Sequence, residues 1–203
     1  LLGTNKGAFF LDAPDRAGDW VLSGPHCETW PINHAIAADG TIYAAGGTQW
    51  HGIGVWQHNA SGWRWSGEGL SYPEDAPKLE TVWSLARGPD GALYAGVKPA
   101  GLFVSRDDGQ TWSELTSLRT HETADKWMPG GAGLILHTIV CHPTDPAKMW
   151  VGISTAGVFA TEDGGITCEP RNIGTRMDYM PEEHRHGPVG QCVHNIVRAP
   201  GSA

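Results

Sequence analysis

Ser105-Arg106-Asp107-Asp108-Gly109-Gln110-Thr111-Trp112 decides how this chain is read. Asp107 can accept hydrogen bonds from nearby backbone N–H groups. Gly109 can take a positive φ without a Cβ penalty. Thr111 and Trp112 open the next strand, and Trp112 can fold back over the turn. Thr161-Glu162-Asp163-Gly164-Gly165-Ile166-Thr167-Cys168 repeats the frame, with Cys168 in the Trp place. Two weaker copies follow. One ends at Trp20, where Asp15 keeps the Asp place but Ala17 replaces the Gly. The other ends at Trp65, where Gly62 keeps the Gly place but Ala60 replaces the Asp. Four related turns at roughly 45- to 56-residue intervals mean a radial or solenoidal repeat.

Working outward, each repeat has one grammar. A first strand carries a polar aromatic or His before Ile or Leu: Asn33-His34-Ala35-Ile36, Val82-Trp83-Ser84-Leu85, Leu136-His137-Thr138-Ile139 and Val193-His194-Asn195-Ile196. A second strand ends in Gly: Ile42 to Gly46, Leu93 to Gly96, Met149 to Gly152. A third strand follows a Gly-containing loop: Gly54 to Trp56, Gly101 to Val104, Gly157 to Ala160. The Asp-bearing turn and a fourth strand close the unit. Short runs of Val, Ile, Tyr, Phe and Trp between Gly and Pro are strands, and four antiparallel strands per repeat make a propeller blade.

The spacing S-x-D-x-G-x-T-W resembles the Asp-box of the BNR, or sialidase-like, β-propeller repeats. The resemblance covers the whole chain and implies an all-β propeller of four-stranded antiparallel blades. About four fall in this sequence, either as a closed ring or as the arc of a larger one. The expected blades are 32–77, 78–132 and 133–190, with residues 1–31 forming one more blade completed by a strand from 191–203. The whole is read as one domain. That phase removes exposed sheet edges, and a second copy of the chain could instead complete the ring. The sequence opens inside a repeat without an initiator Met, which fits a trimmed or mature chain.

Composition agrees. The 203 residues are 40% hydrophobic but only 18% charged, with 28 Gly, 14 Pro and 10 Trp. This suits short strands and tight turns rather than helices. A net charge of −8 argues against nucleic acid or an anionic membrane as partner. Cys27, Cys141, Cys168 and Cys192 lack metal-knuckle spacing and fit free thiols in a reducing compartment, which favours the cytoplasm slightly. Gly46 to Gly52 is Gly-rich but lacks the Lys and helix of a phosphate loop, so nucleotide binding is rejected.

Function in a propeller gathers at the mouth of the channel, on the loops entering each first strand and those between strands two and three. The Asp-bearing turns lie at the opposite end and read as structural staples. His34, His137 and His194, with Trp83 between them, recur once per blade. Rotation would bring them towards one axis, where imidazoles suit a divalent transition metal. A glycan-directed reading needs two flanking carboxyls for hydrolysis. Glu28, Asp178 and Glu182 are the candidates, with Tyr179 beside them. Trp30, Trp50 and Trp127 are candidate sugar-stacking platforms, and Arg176 a candidate substrate contact. The sialidase catalytic set does not map onto this chain residue by residue. Three functions follow: a carbohydrate (or other small-molecule) binder or hydrolase, a metal-dependent enzyme, and a non-catalytic assembly scaffold.

Overall fold

The computed structural model describes residues 1–13 and 18–199. Strands β1 (Leu2–Thr4), β2 (Gly7–Asp12) and β3 (Val21–His26) form a three-stranded sheet. Three four-stranded sheets follow. The second holds β4 (Ile32–Ala38), β5 (Thr41–Thr48), β6 (Gly52–Asn59) and β7 (Gly62–Ser66). The third holds β8 (Thr81–Arg87), β9 (Leu93–Lys98), β10 (Gly101–Ser105) and β11 (Ser113–Leu115). The fourth holds β12 (Leu136–Cys141), β13 (Met149–Ile153), β14 (Gly157–Thr161) and β15 (Glu169–Pro170). Every neighbouring pair within a sheet is antiparallel.

The sheets stack face to face in chain order, and the side-chain period of two explains how. On β10, Phe103 joins a core with Tyr43, Ala45 and Val55 of the second sheet. Its neighbours Leu102 and Val104 point the other way, to a core with Met149, Val151 and Phe159 of the fourth. Both faces of β10 are therefore buried, and its sequence reads as a nearly unbroken apolar run. Phe103 and Phe159 are fully buried, each worth about 1.5–3 kcal/mol relative to exposure. A smaller core of Ala8, Cys27, Ile32, Ala44 and Trp56 joins the first sheet to the second.

First strands touch laterally: β4 meets β8, and β8 meets β12. Side chains bolt these contacts. Ser84 Oγ donates to the Leu136 carbonyl at 2.8 Å, and Leu85 N–H donates to His34 Nδ1 at 3.1 Å. Asn33 donates to the Val82 carbonyl at 2.9 Å.

The decisive turn forms as its residues dictate. Asp107 Oδ1 accepts from Gln110 and Thr111 N–H at 3.1 and 2.9 Å, and Oδ2 accepts from the Thr111 hydroxyl at 2.6 Å. Gly109 has φ 77° and donates its N–H to Ser105 Oγ at 2.7 Å. Thr161, Asp163, Gly165 and Thr167 repeat the bonds that Ser105, Asp107, Gly109 and Thr111 make among themselves. These bonds hold the carboxyls of Asp107 and Asp163 down at about 2, the Thr111 and Thr167 hydroxyls contributing most. Their lone pairs are committed to the turn, as a staple requires.

The weak copy ending at Trp65 is corrected. Asn59 pairs with Gly62 across a hairpin two residues shorter than the Asp107 turn. Ser66 pairs with Val55 and Arg64 with Gln57, so Trp63 rather than Trp65 takes the register place of Trp112. Asp15 and Ala17, of the copy ending at Trp20, lie outside the described residues. Among the described residues, the expected strand at Val193–Ile196 is not formed. β1 pairs only with β2, and Leu1 and Leu2 remain 43% and 47% exposed. All four cysteines are free, and among the described residues no helix is long and apolar enough to cross a membrane.

Candidate functional site

First strands begin, and second strands end, at one end of the stack. A cavity of about 430 Å³ opens there, where the first three sheets meet. Asn5 comes from the β1–β2 turn, Asn33 from β4, Gln49 from the β5–β6 turn, Trp83 from β8 and Lys98 from the end of β9. Glu80 precedes β8 and accepts an ion pair from Lys98 Nζ at 2.9 Å.

The exposure of Trp83 and Asn33 has a backbone cause. The pairing of β4 with β5 slips between Ile32 and His34, that of β8 with β9 between Val82 and Ser84, and that of β12 with β13 between Leu136 and His137's far neighbour Thr138. Each slip is a bulge, an extra residue released from the ladder. The bulge residues are Asn33, Trp83 and His137. The equivalence of His34 with Trp83 and His137 is therefore off by one: His34 matches Ser84 and Thr138. Aligning Ile36 with Leu85 produced the slip, whereas the register sets Ile36 opposite Tyr43 and Ala86 opposite Tyr94. One residue of slip sends a side chain to the other face.

The histidines consequently do not assemble. His34 lies between sheets, its Nδ1 holding Leu85 N–H, and burial lowers its pKa. His137 sits half-buried with Nδ1 2.8 Å from the Thr138 hydroxyl, its pKa also lowered chiefly by burial. His194 is exposed, 3.6 Å from Cys192 Sγ. Among the described residues, no three of His, Cys, Asp and Glu are grouped to hold a metal ion.

The carboxyl candidates are also scattered. Glu28 is exposed in the turn before β4, within three successive positive-φ residues, Cys27, Glu28 and Thr29. Burial pushes the neighbouring Cys27 thiol up to about 12, so it stays protonated. Asp178 and Glu182 lie beyond β15, with the second and third sheets intervening in the stack. Asp178 pairs with Arg176 at 2.6 Å on the surface. Tyr179 donates its hydroxyl to the Gly190 carbonyl at 2.6 Å. Glu182 begins an exposed single helical turn.

The tryptophans divide. Trp127 is core: its ring packs on Phe159 with centroids 5.1 Å apart, and its N–H donates to the Thr123 hydroxyl at 3.0 Å. Trp30 is half-buried against Trp56 and Trp65. Trp50 is 92% exposed, beside Gln49 at the cavity rim. Trp83, which lines this cavity, is not among the expected tryptophans. Its signal was present, since it shares a frame with His137 at the mouth end of a first strand.

A second, more apolar cavity of about 650 Å³ lies between the loops that follow β11 and β15. Met128, Pro129, Met177, Met180, Pro188 and Val189 line it, and of the expected site residues only Tyr179 does.

No family model and no curated protein matches this chain. Solved structures do. A GH74 xyloglucanase from Xanthomonas campestris aligns with TM-score 0.51 and 20% identity, over 70% of this chain and 24% of that one. YCF48 bound to D1 peptide aligns with TM-score 0.53 and 14% identity, over 81% of this chain and 47% of that one. The fold is a β-propeller. The four sheets are its blades, and β4, β8 and β12 are its inner strands. The chain spans under half the length of either solved protein, and identities this low speak for fold alone.

Proposed function

We propose that this propeller segment binds carbohydrate, and does not hydrolyse it, at the Trp83 cavity. The observation that carries the reading is the make-up of that cavity: one half-exposed indole among the amides of Asn5, Asn33 and Gln49. An aromatic face packs on the apolar face of a sugar ring, while amides offer both donors and acceptors to its hydroxyls. Asn33 spends its N–H donors on Thr81 and Val82 and keeps its carbonyl oxygen for a ligand hydroxyl. Glu80 and Lys98 neutralise one another, which favours an uncharged sugar over an ionised one. Glycoside hydrolysis takes a pair of carboxyls about 5–9.5 Å apart, and among the described residues Glu80 is the one acid lining this cavity. The likeness to a xyloglucanase supports the reading only in that such a frame carries glycan chemistry.

A glycan array followed by calorimetry tests this. Neutral oligosaccharides should bind, and Trp83→Ala should weaken binding at least about tenfold, equivalent to about 1.4 kcal/mol. Silence across the array, or binding indifferent to Trp83, overturns it.

A second reading, an assembly scaffold, is favoured by the methionine-lined cavity. Methionine is polarisable and adapts to irregular apolar partners, and one structural neighbour was solved with a bound peptide. A peptide ligand lost on Met180→Glu but kept in Trp83→Ala would select it.

A further inference from the structure

The wall of the Trp83 cavity leads straight to an open indole. Gly47, Thr48 and Gln49 line the cavity in succession, and Trp50 is the next residue, about 3.8 Å further along the chain. Among the described tryptophans Trp50 is the most exposed, at 92% against 65% for Trp20. Pro31 also lines the cavity, and its neighbour Trp30 packs on Trp65 with ring centroids 5.4 Å apart. His51 lies 5.8 Å from the Trp30 ring, so aromatic rings back the turn that carries Trp50.

That turn is ordered by its own chemistry. Thr48 Oγ1 accepts from Trp50 and His51 N–H, both at 3.3 Å, and lies 2.9 Å from His51 Nδ1. Gly52 closes the turn at φ 102°. A Cβ there would lie 3.1 Å from Trp30 Cη2 and 3.5 Å from Trp65 Cζ2, so the glycine lets the two indoles seat behind the turn. An indole on an ordered backbone has only two side-chain torsions to fix, and it stacks at low entropic cost. The surroundings carry no formal charge. From Thr41 to Trp63 the sequence holds no Asp, Glu, Lys or Arg, although the whole chain carries a net charge of −8.

We propose that Trp50 is the outer stacking platform of the Trp83 site, which therefore takes an extended, uncharged oligosaccharide rather than a single sugar. The inference rests on the carbohydrate reading of that cavity. One sugar ring stacks on Trp83, and a later ring of the same ligand stacks on Trp50, each indole covering an apolar sugar face. The Gln49 amide, on the wall that leads to Trp50, offers a donor and an acceptor to hydroxyls of the linking sugar. An ionised sugar finds no counter-charge along this rim, because Glu80 and Lys98 already pair with one another. Once the first ring is held, the second contact is intramolecular, so ligand length is converted into affinity.

Calorimetry with cello-, xylo- and manno-oligosaccharides, each from the monosaccharide to the hexasaccharide, tests this on the whole chain. In at least one series affinity should rise with length by at least about tenfold, equivalent to about 1.4 kcal/mol. Trp50→Ala should abolish the rise, so that long and short sugars bind alike, and Trp50→Phe, which keeps a smaller ring, should retain part of it. Trp83→Ala should weaken binding at every length. Both Trp50 variants should melt with the unsubstituted chain, since an indole this exposed supports no core. Binding that depends on Trp83 but not on length, or a rise with length that survives Trp50→Ala, overturns the inference and leaves the carbohydrate reading standing. Failure of every sugar at every length to bind overturns both.

Discussion

Gly96→Ala probes how the blades are joined. Gly96 lies on β9 opposite Ser84. A Cβ there would come 2.3 Å from Ser84 Oγ and 2.5 Å from both the carbonyl oxygen and Cδ2 of Leu136, on the next inner strand. Two of those atoms are parts of the lateral bolt, Ser84 Oγ to Leu136 carbonyl at 2.8 Å, and one of the two is backbone. The methyl group therefore forces the third and fourth blades apart or breaks the bolt. Overpacking costs about 1–3 kcal/mol, and a lost buried hydrogen bond adds about 1 kcal/mol. For a chain of this size each kcal/mol moves Tm by about 2–4 °C, so a fall of about 4–16 °C is expected by calorimetry. Gly131→Ala is the control, because nothing lies within 4 Å of its added Cβ. If Gly96→Ala melts with Gly131→Ala, the inner strands do not approach as described.

Further expectations follow from the same geometry. Asp107→Asn keeps the shape of the turn but loses the charged acceptor for Thr111 and Gln110; it should lower stability by about 1–2 kcal/mol after allowance for its exposure, read by urea denaturation. Because the folded pKa of Asp107 lies at about 2, below its ordinary 3.8, its stabilisation is present above 3.8 and fades as pH falls towards 2. A separate loss should begin at higher pH. His34 and His137 have folded pKa values below 6.5, so the unfolded chain takes up protons first and Tm should fall as pH drops below 6.5. His34→Gln should flatten that part of the Tm-against-pH curve; an unchanged slope would mean that burial does not hold His34 neutral.

The strands were legible because their chemistry is local. Leu93 to Gly96, Gly101 to Val104 and Gly157 to Ala160 fall inside observed strands, bounded by the Gly and Pro that end them. The Asp107 and Asp163 turns were legible for the same reason: each donor and acceptor lies within about five residues of its partner. The site was less so. Whether a side chain faces channel or neighbour depends on bulges at Asn33, Trp83 and His137, and a bulge leaves no mark in apolar spacing. Hence His34 was assigned to the axis when it bolts two blades. Trp127 looked like a loop tryptophan, yet its loop folds back to seal Phe159. Trp83 was visible only as the residue that broke a row of histidines.

The most direct measurement is a crystal structure with a neutral oligosaccharide bound. The account predicts a sugar ring stacked on Trp83, with hydroxyls in hydrogen-bond reach of Asn33 and of the Glu80–Lys98 pair. A sugar seated at the opposite end, by Asp107 and Asp163, or a Trp83 cavity that stays free of sugar at saturating ligand, would contradict it.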